Sequence, residues 1–206
     1  MDIVLTLLVA IAAWAVVRAN YQRARITFLG RHLAGLQLER HMETLTEGYT
    51  RAIHEGTETR RLQVLETFAQ AERTVAAQVQ SLADAMQNEN EQATSMGSLT
   101  FCVPYIERLF PSLTRDFRKL LHIHAAGLRY VVDNEGRWDP KERAYHLSAE
   151  LYLFQHSCHW FCKSRAVADA RMMLRHQVTH EKVLESVSDM TRSAYLRWAQ
   201  SSQSRH

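Results

Sequence analysis

Chain breakers are scarce in this sequence. Its 206 residues include only 7 Gly and 3 Pro, and neither residue occurs after Pro140. So few breakers disfavour a strand-and-turn fold and favour long helices. Cysteine is also rare: Cys102, Cys158 and Cys162 are an odd set that cannot all pair within one chain. Such a count reads as free thiols in a reducing compartment. Charge of one sign is missing too. A net charge of +3 implies no global electrostatic partner.

The usual catalytic signatures are absent. No Glu has a His three positions on, as a di-iron carboxylate bundle requires. His180-Glu181 begins like a zinc-protease helix, but Leu184 stands where its second His is needed. There is no glycine-rich phosphate loop and no G-x-S-x-G elbow, so nucleotide binding and hydrolase chemistry lack their common cradles. From Lys163 to Arg205 there are eight Lys/Arg against four Asp/Glu, with the signs interspersed. A solvated helical face accounts for that excess, and nucleic acid is not an expected partner.

One long uncharged run is present. Ile3 to Val17 reads IVLTLLVAIAAWAVV. As a helix it spans roughly 22 Å, short of the ~30 Å hydrocarbon core. Continuing the helix to Tyr21, with Arg18 snorkelling, brings it nearer to full length, and Trp14 and Tyr21 suit the interface. A cleaved signal peptide is the rival reading. It wants a basic start, whereas Asp2 is the only charged side chain before the run, and Arg18 spoils a cleavage site at Val17-Arg18-Ala19. A core helix of a soluble bundle is the other rival. Arg18, Arg23, Arg25 and Arg31 precede the first later acid, Glu39. The positive-inside rule then places the C-terminal part in the cytoplasm, and the same arginines can touch anionic headgroups. The expected location is a bacterial inner membrane, crossed once, with the bilayer contacting residues 3–21.

The rest reads as helices. Ile26, Leu29, Leu33 and Leu36, then Leu38, Met42, Leu45, Tyr49 and Ile53, recur three and four apart, with Gly56 as a stop. Leu65, Phe68, Glu72, Val75, Val79, Leu82 and Met86 form a coiled-coil-like seam with one charged defect, Glu72. A hairpin with the preceding helix suits that defect better than a parallel self-assembling coil, where Glu72 would face its own copy. QNENEQATSMGS, residues 87–98, is the most loop-like stretch. Phe117 to Val131 and Leu147 to Met172 give further stripes, the latter opened by Asp139-Pro140-Lys141-Glu142, a cap followed by a first-turn proline. The phase fails near Arg175 to Thr179, where a break is expected, though one helix or two over 141–200 is left open.

The expected fold is therefore all-α, a transmembrane helix followed by a hairpin and bundle of about four to five helices. The expected divisions are 1–21 anchor, 22–88 juxtamembrane hairpin, 89–98 linker, 99–200 bundle and 201–206 tail. Candidate chemistry is densest at His156, Cys158, His159 and Cys162, to which His176 and His180 could add ligands, as could His122 or His124 from a facing helix. Zinc takes such nitrogen and sulfur donors, and iron is a second possibility. The plainer reading makes Cys158 a small core hydrophobe and the histidines satisfied interface groups. No cofactor is required by any motif. The function expected by elimination is a membrane-anchored adaptor, assembly factor or regulatory subunit that holds a protein partner. A metal-binding sensor or enzyme and a self-assembling coil are the alternatives. No family resemblance is evident.

Overall fold

The computed structural model describes residues 2–201. Among them the chain is 79% helical, with 11 α-helices and little strand, so the all-α expectation holds. Helix α1, Asp2–Leu33, is the longest, at 32 residues and so ~48 Å. It is long and apolar enough to cross a membrane. Every residue from Ile3 to Arg18 is exposed, so this half projects from the body as a bare stem. The second half packs into the body, and no break separates the two. The helix stops where Gly35 takes φ +93°, a left-handed conformation that costs glycine little.

Helix α2, Leu38–Ile53, buries Leu38, Met42, Leu45 and Tyr49 at the spacing read from the sequence. The seam that follows is divided at Phe68 into α3, Glu58–Thr67, and α4, Ala69–Gln87. It meets α2 but packs chiefly on α7, Phe117–Val132. Val75, Val79, Leu82 and Met86 are consumed in that contact with the chain's own core. Glu72, the charged defect, is buried with partners: Tyr49 Oη donates to it at 2.5 Å and Arg143 Nη1 at 2.7 Å. A buried carboxylate is tolerated when paired in this way, and removing a partner costs about 3–5 kcal/mol.

Residues 91–97, within the expected linker, form helix α5, Glu91–Thr94, and strand β1, Ser95–Gly97. After helix α6, Ile106–Leu109, and a 3-10 turn at Pro111–Leu113, strand β2, Thr114–Asp116, pairs antiparallel with β1. The register is Ser95 with Asp116, Met96 with Arg115 and Gly97 with Thr114. Three-residue strands carry too little alternation to be seen in a sequence.

The last third is four helices: α8, Pro140–Cys162, α9, Arg165–His176, α10, His180–Ser186, and α11, Asp189–Gln200. The expected break lies at Gln177, with φ 54°, and Thr179. The two others follow hydroxyl caps: Ser164 Oγ accepts from Val167 N, and Ser188 Oγ from Thr191 N, both at 3.3 Å. Asp139 caps α8 as expected, accepting from Lys141 N at 2.8 Å and Glu142 N at 3.0 Å. One apolar cluster runs from Leu29 to Trp198, so α1, α2, α4, α7, α8 and α11 share a core.

Arg25 joins stem to body. It is buried, its Nε donating to Phe161 O at 2.7 Å, Nη2 to Ser95 O at 2.5 Å and Nη1 to Tyr21 Oη at 2.6 Å. Its guanidinium lies 4.0 Å from the centroid of the Phe161 ring, which in turn stacks on Phe117 at 4.2 Å. Phe161 O belongs to the last turn of α8, where carbonyls lack partners within the helix and a cation is favoured. The sequence reading counted Arg25 with the headgroup-facing arginines; its burial assigns it to the protein interior instead. Replacing Arg25 by Ala is expected to lower the unfolding free energy of the detergent-solubilised chain by about 2–4 kcal/mol, because bonds to a charged donor are lost in a buried site. Urea melts followed by circular dichroism check this, and an unchanged midpoint would refute the role given to Arg25.

Candidate functional site

Six of the candidate ligands lie on or beside α8, and the periodicity of α8 separates them. Residues three and four apart share a face, so Cys158 and Cys162 point one way and His156 another. Cys158, His159 and Cys162 line an apolar hollow of about 510 Å³ with Ile26, Leu29 and Leu33 of α1 and Met42 of α2. His156, His159 and His176 border a second hollow of about 390 Å³ against α9, with Tyr152, Met172 and the exposed Leu174. His176 also borders a third, of about 640 Å³, whose α2 wall carries Glu39, Glu43 and Glu47. Gln155 lines all three, so they form one groove with α8 as its floor.

Each imidazole already has a partner. His156 Nε2 donates to Asp169 Oδ1 at 2.7 Å, and this bond is the main reason the Asp169 carboxyl is held below its ordinary range. His180 Nε2 is paired with Tyr195 Oη at 3.0 Å, and its ring lies 4.4 Å from that of His156. His176 Nε2 donates to Gln155 Oε1 at 2.9 Å while its ring stacks on Tyr152 at 4.0 Å. Arg171 Nη1 donates to His159 Nδ1 at 3.2 Å. Burial raises both thiols, Cys162 to about 11 and Cys158 further, so both are protonated at neutral pH. Among the described residues there is no group of three or more His, Cys, Asp or Glu side chains placed to hold a metal ion.

Beside the groove floor lies a buried polar layer, in which His124, a possible ligand on sequence, is joined by Glu150 and Ser157, which the sequence does not single out. His124 of α7 meets Ser157 Oγ at 2.9 Å. Because Ser157 gives its own proton to Leu153 O, His124 Nε2 is the donor, leaving Nδ1 as an unprotonated, unpartnered nitrogen. Glu150 Oε1 accepts from Ser188 N at 3.2 Å and from Ser188 Oγ at 2.9 Å. Gly127 makes room for this arrangement: a Cβ there would collide with Thr191 Oγ1 and come within 2.8 Å of Glu150 Oε2. His124, Glu150 and Ser157 are all fully buried, so the Ser157–His124 pair does not offer a nucleophile to a substrate. Glu150 could have been suspected from its position inside the apolar run Ala149 to Phe154. Asp169 and Arg171 carried no such signal, since either suits a solvated helix face.

The molecule is thus of a definable class: a helical body with a groove along one helix, carried on a stem of membrane-spanning length and composition. Comparison with family models, with curated proteins and with solved structures finds no match.

The buried histidines make stability pH-dependent. Burial lowers His124 to about 3, and His159 and His180 to about 4. An unfolded histidine takes up its proton near pH ~6.5, so between there and ~4 the unfolded chain binds more protons and stability falls with falling pH. Glu150, raised to about 7 by burial, acts the other way, because the folded state keeps its proton over the window up to that value. His176 is lowered by burial as well, and four histidines against one acid leave a net loss on acidification. The thermal midpoint is expected to drop as pH is lowered from about 7 to about 5, less in His124→Phe and more in Glu150→Gln. A flat midpoint over that window would contradict the assignment.

Proposed function

We propose that the protein is a single-pass, membrane-anchored adaptor that holds a protein partner on the cytoplasmic face of a bacterial inner membrane. The observation that carries the anchoring half is the stem: sixteen successive exposed residues, none charged before Arg18, project from a body that has its own apolar core. Among the described residues nothing covers that surface, and lipid is the medium in which it costs nothing. Arg18, Arg23 and Arg31 are exposed on the body side of the stem, which supports a cytoplasmic body under the positive-inside rule.

The groove along α8 supports the adaptor half. Its α1–α2 end is apolar, and its rims carry Glu39 and Glu43 facing Arg171 and Arg175. An amphipathic helix from a partner would find an apolar floor with charges of both signs to set its register. His156, His159 and His176 on its walls each hold one internal hydrogen bond, and the apolar end supports a docking role more than a reactive one.

Paired substitutions Leu8→Arg and Ile11→Arg test the anchor. Each costs about 2.5–3.5 kcal/mol at the centre of an inserted helix, yet neither position touches the body. The doubly substituted chain is expected to move from the carbonate-washed membrane pellet to the supernatant with its helicity kept. Retention in the pellet would overturn the anchoring, and a C-terminal reporter active on the outer face would overturn the orientation. For the groove, a photocrosslinking residue in place of Ile26 is expected to yield a protein adduct in intact cells that Leu33→Glu abolishes. Absence of an adduct would retire the adaptor reading.

A further inference from the structure

We infer that the segment Leu99–Leu113 is a second membrane-contacting element, an apolar wedge that enters the lipid headgroup layer beside the stem. The inference rests on the anchoring proposed above. Leu99, Phe101, Tyr105, Leu109, Phe110 and Leu113 are all exposed within this one segment, Phe101 at 74%, Leu109 at 64% and Phe110 at 56%. Single exposed apolar residues are ordinary, but a concentrated set marks a surface that something covers.

Its position along α1 identifies what covers it. The stem meets the body in a fixed order. The first contacts after Val17 are with this segment: the Tyr21 ring meets Tyr105 at 5.1 Å, and Tyr21 and Cys102 line the same small hollow. Tyr21 Oη donates to Glu107 Oε2 at 3.0 Å. Arg25 then meets Phe161 and Ser95, and His32 meets Glu89 at 3.0 Å. Tyr21 is four residues, about 6 Å, past the end of the uncharged run, whereas His32 is about 22 Å past it. The headgroup layer extends roughly 5–10 Å beyond the hydrocarbon. Of these contacts, those of the Leu99–Leu113 segment are the ones that fall inside it.

The composition suits that depth. Tyr21 and Tyr105 are the residue type enriched where water meets lipid. Arg108 is exposed over the Tyr105 ring, its guanidinium 5.4 Å from the centroid, and Arg18, three residues before Tyr21 and so on the same face of the stem, is exposed too. The one acid of the wedge facing the stem, Glu107, is occupied by Tyr21 Oη. Apolar side chains fringed by arginines match an anionic bilayer surface, where each close positive charge adds about 1 kcal/mol.

The full chain in vesicles of phosphatidylcholine with a quarter phosphatidylglycerol tests this. Benzoylphenylalanine is placed, one position at a time, at Phe101, Leu109, Phe110, at Val16 within the stem, and at Tyr145. Tyr145 is exposed too, but lies near the other end of α8, about 24 Å from Phe161. After illumination, a mass increase of one phospholipid is expected from the three wedge positions and from Val16, and none from Tyr145. Lipid adducts from Val16 without any from the wedge would overturn this inference and leave the anchor standing. Chain-to-chain adducts from the wedge would overturn it in favour of self-association. No lipid adduct from Val16 would overturn the anchor, and the wedge with it.

Discussion

The architecture depends on a buried guanidinium. α1 is continuous from its bare half into its packed half, so the angle between stem and body is decided where α1 first becomes buried. That place is Arg25. Its three hydrogen bonds end on three different elements: the last turn of α8, strand β1 and α1 itself. A planar fork with fixed donor directions can satisfy such scattered acceptors in one arrangement only, whereas an ammonium on a flexible stem would tolerate several. Phe161 below the guanidinium and Phe117 below Phe161 extend the same column into α7. The stem is thereby coupled to the core by a directional contact as well as by apolar packing.

Elsewhere the body uses the same device. Helices with apolar stripes can slide by a turn at little cost, since one leucine resembles another. Glu72 between Tyr49 and Arg143 ties α4 to α2 and α8. Glu150 with Ser188 ties α8 to the start of α11, and His124 with Ser157 ties α7 to α8. Each bond would be broken by a slip, leaving a buried polar group unpaired at a cost of about 1–3 kcal/mol or more. The apolar stripes bring the helices together, and the polar pairs select the register.

This division explains what was legible beforehand. Helix identity, the core faces of α2, α4 and α7, the cap at Asp139 and the break near Gln177 follow from local periodicity and capping chemistry, both written into neighbouring residues. The split at Phe68 and the α4–α7 pairing do not, because they depend on which stripe meets which across the chain. The breaks at Ser164 and Ser188 left hydroxyl caps in the sequence, but without a Gly or Pro to accompany them they resembled ordinary helix-surface serines. At the candidate site, His156, Cys158, His159 and Cys162 share one helix, α8, as their spacing implies. What the sequence does not supply is which side chain each histidine meets: Asp169 for His156, Arg171 for His159, Gln155 for His176 and Tyr195 for His180.

On the proposed reading, the placement of the groove relative to the stem has a mechanical consequence. The apolar end of the groove begins at Ile26, nine residues and about 13 Å past the uncharged run. A partner helix leaving the same bilayer would need only about three turns outside the lipid to reach it. Because both helices would be tethered in one membrane, the encounter would take place at a high effective concentration, and a shallow groove could hold its partner without the buried area that two freely diffusing proteins require. That gain exists only if the body is held at a constant height and tilt, since an anchor too loose to align the surfaces loses the advantage of tethering. The Arg25 joint supplies that constancy from within the chain, and a wedge beside the stem would supply it from the lipid side.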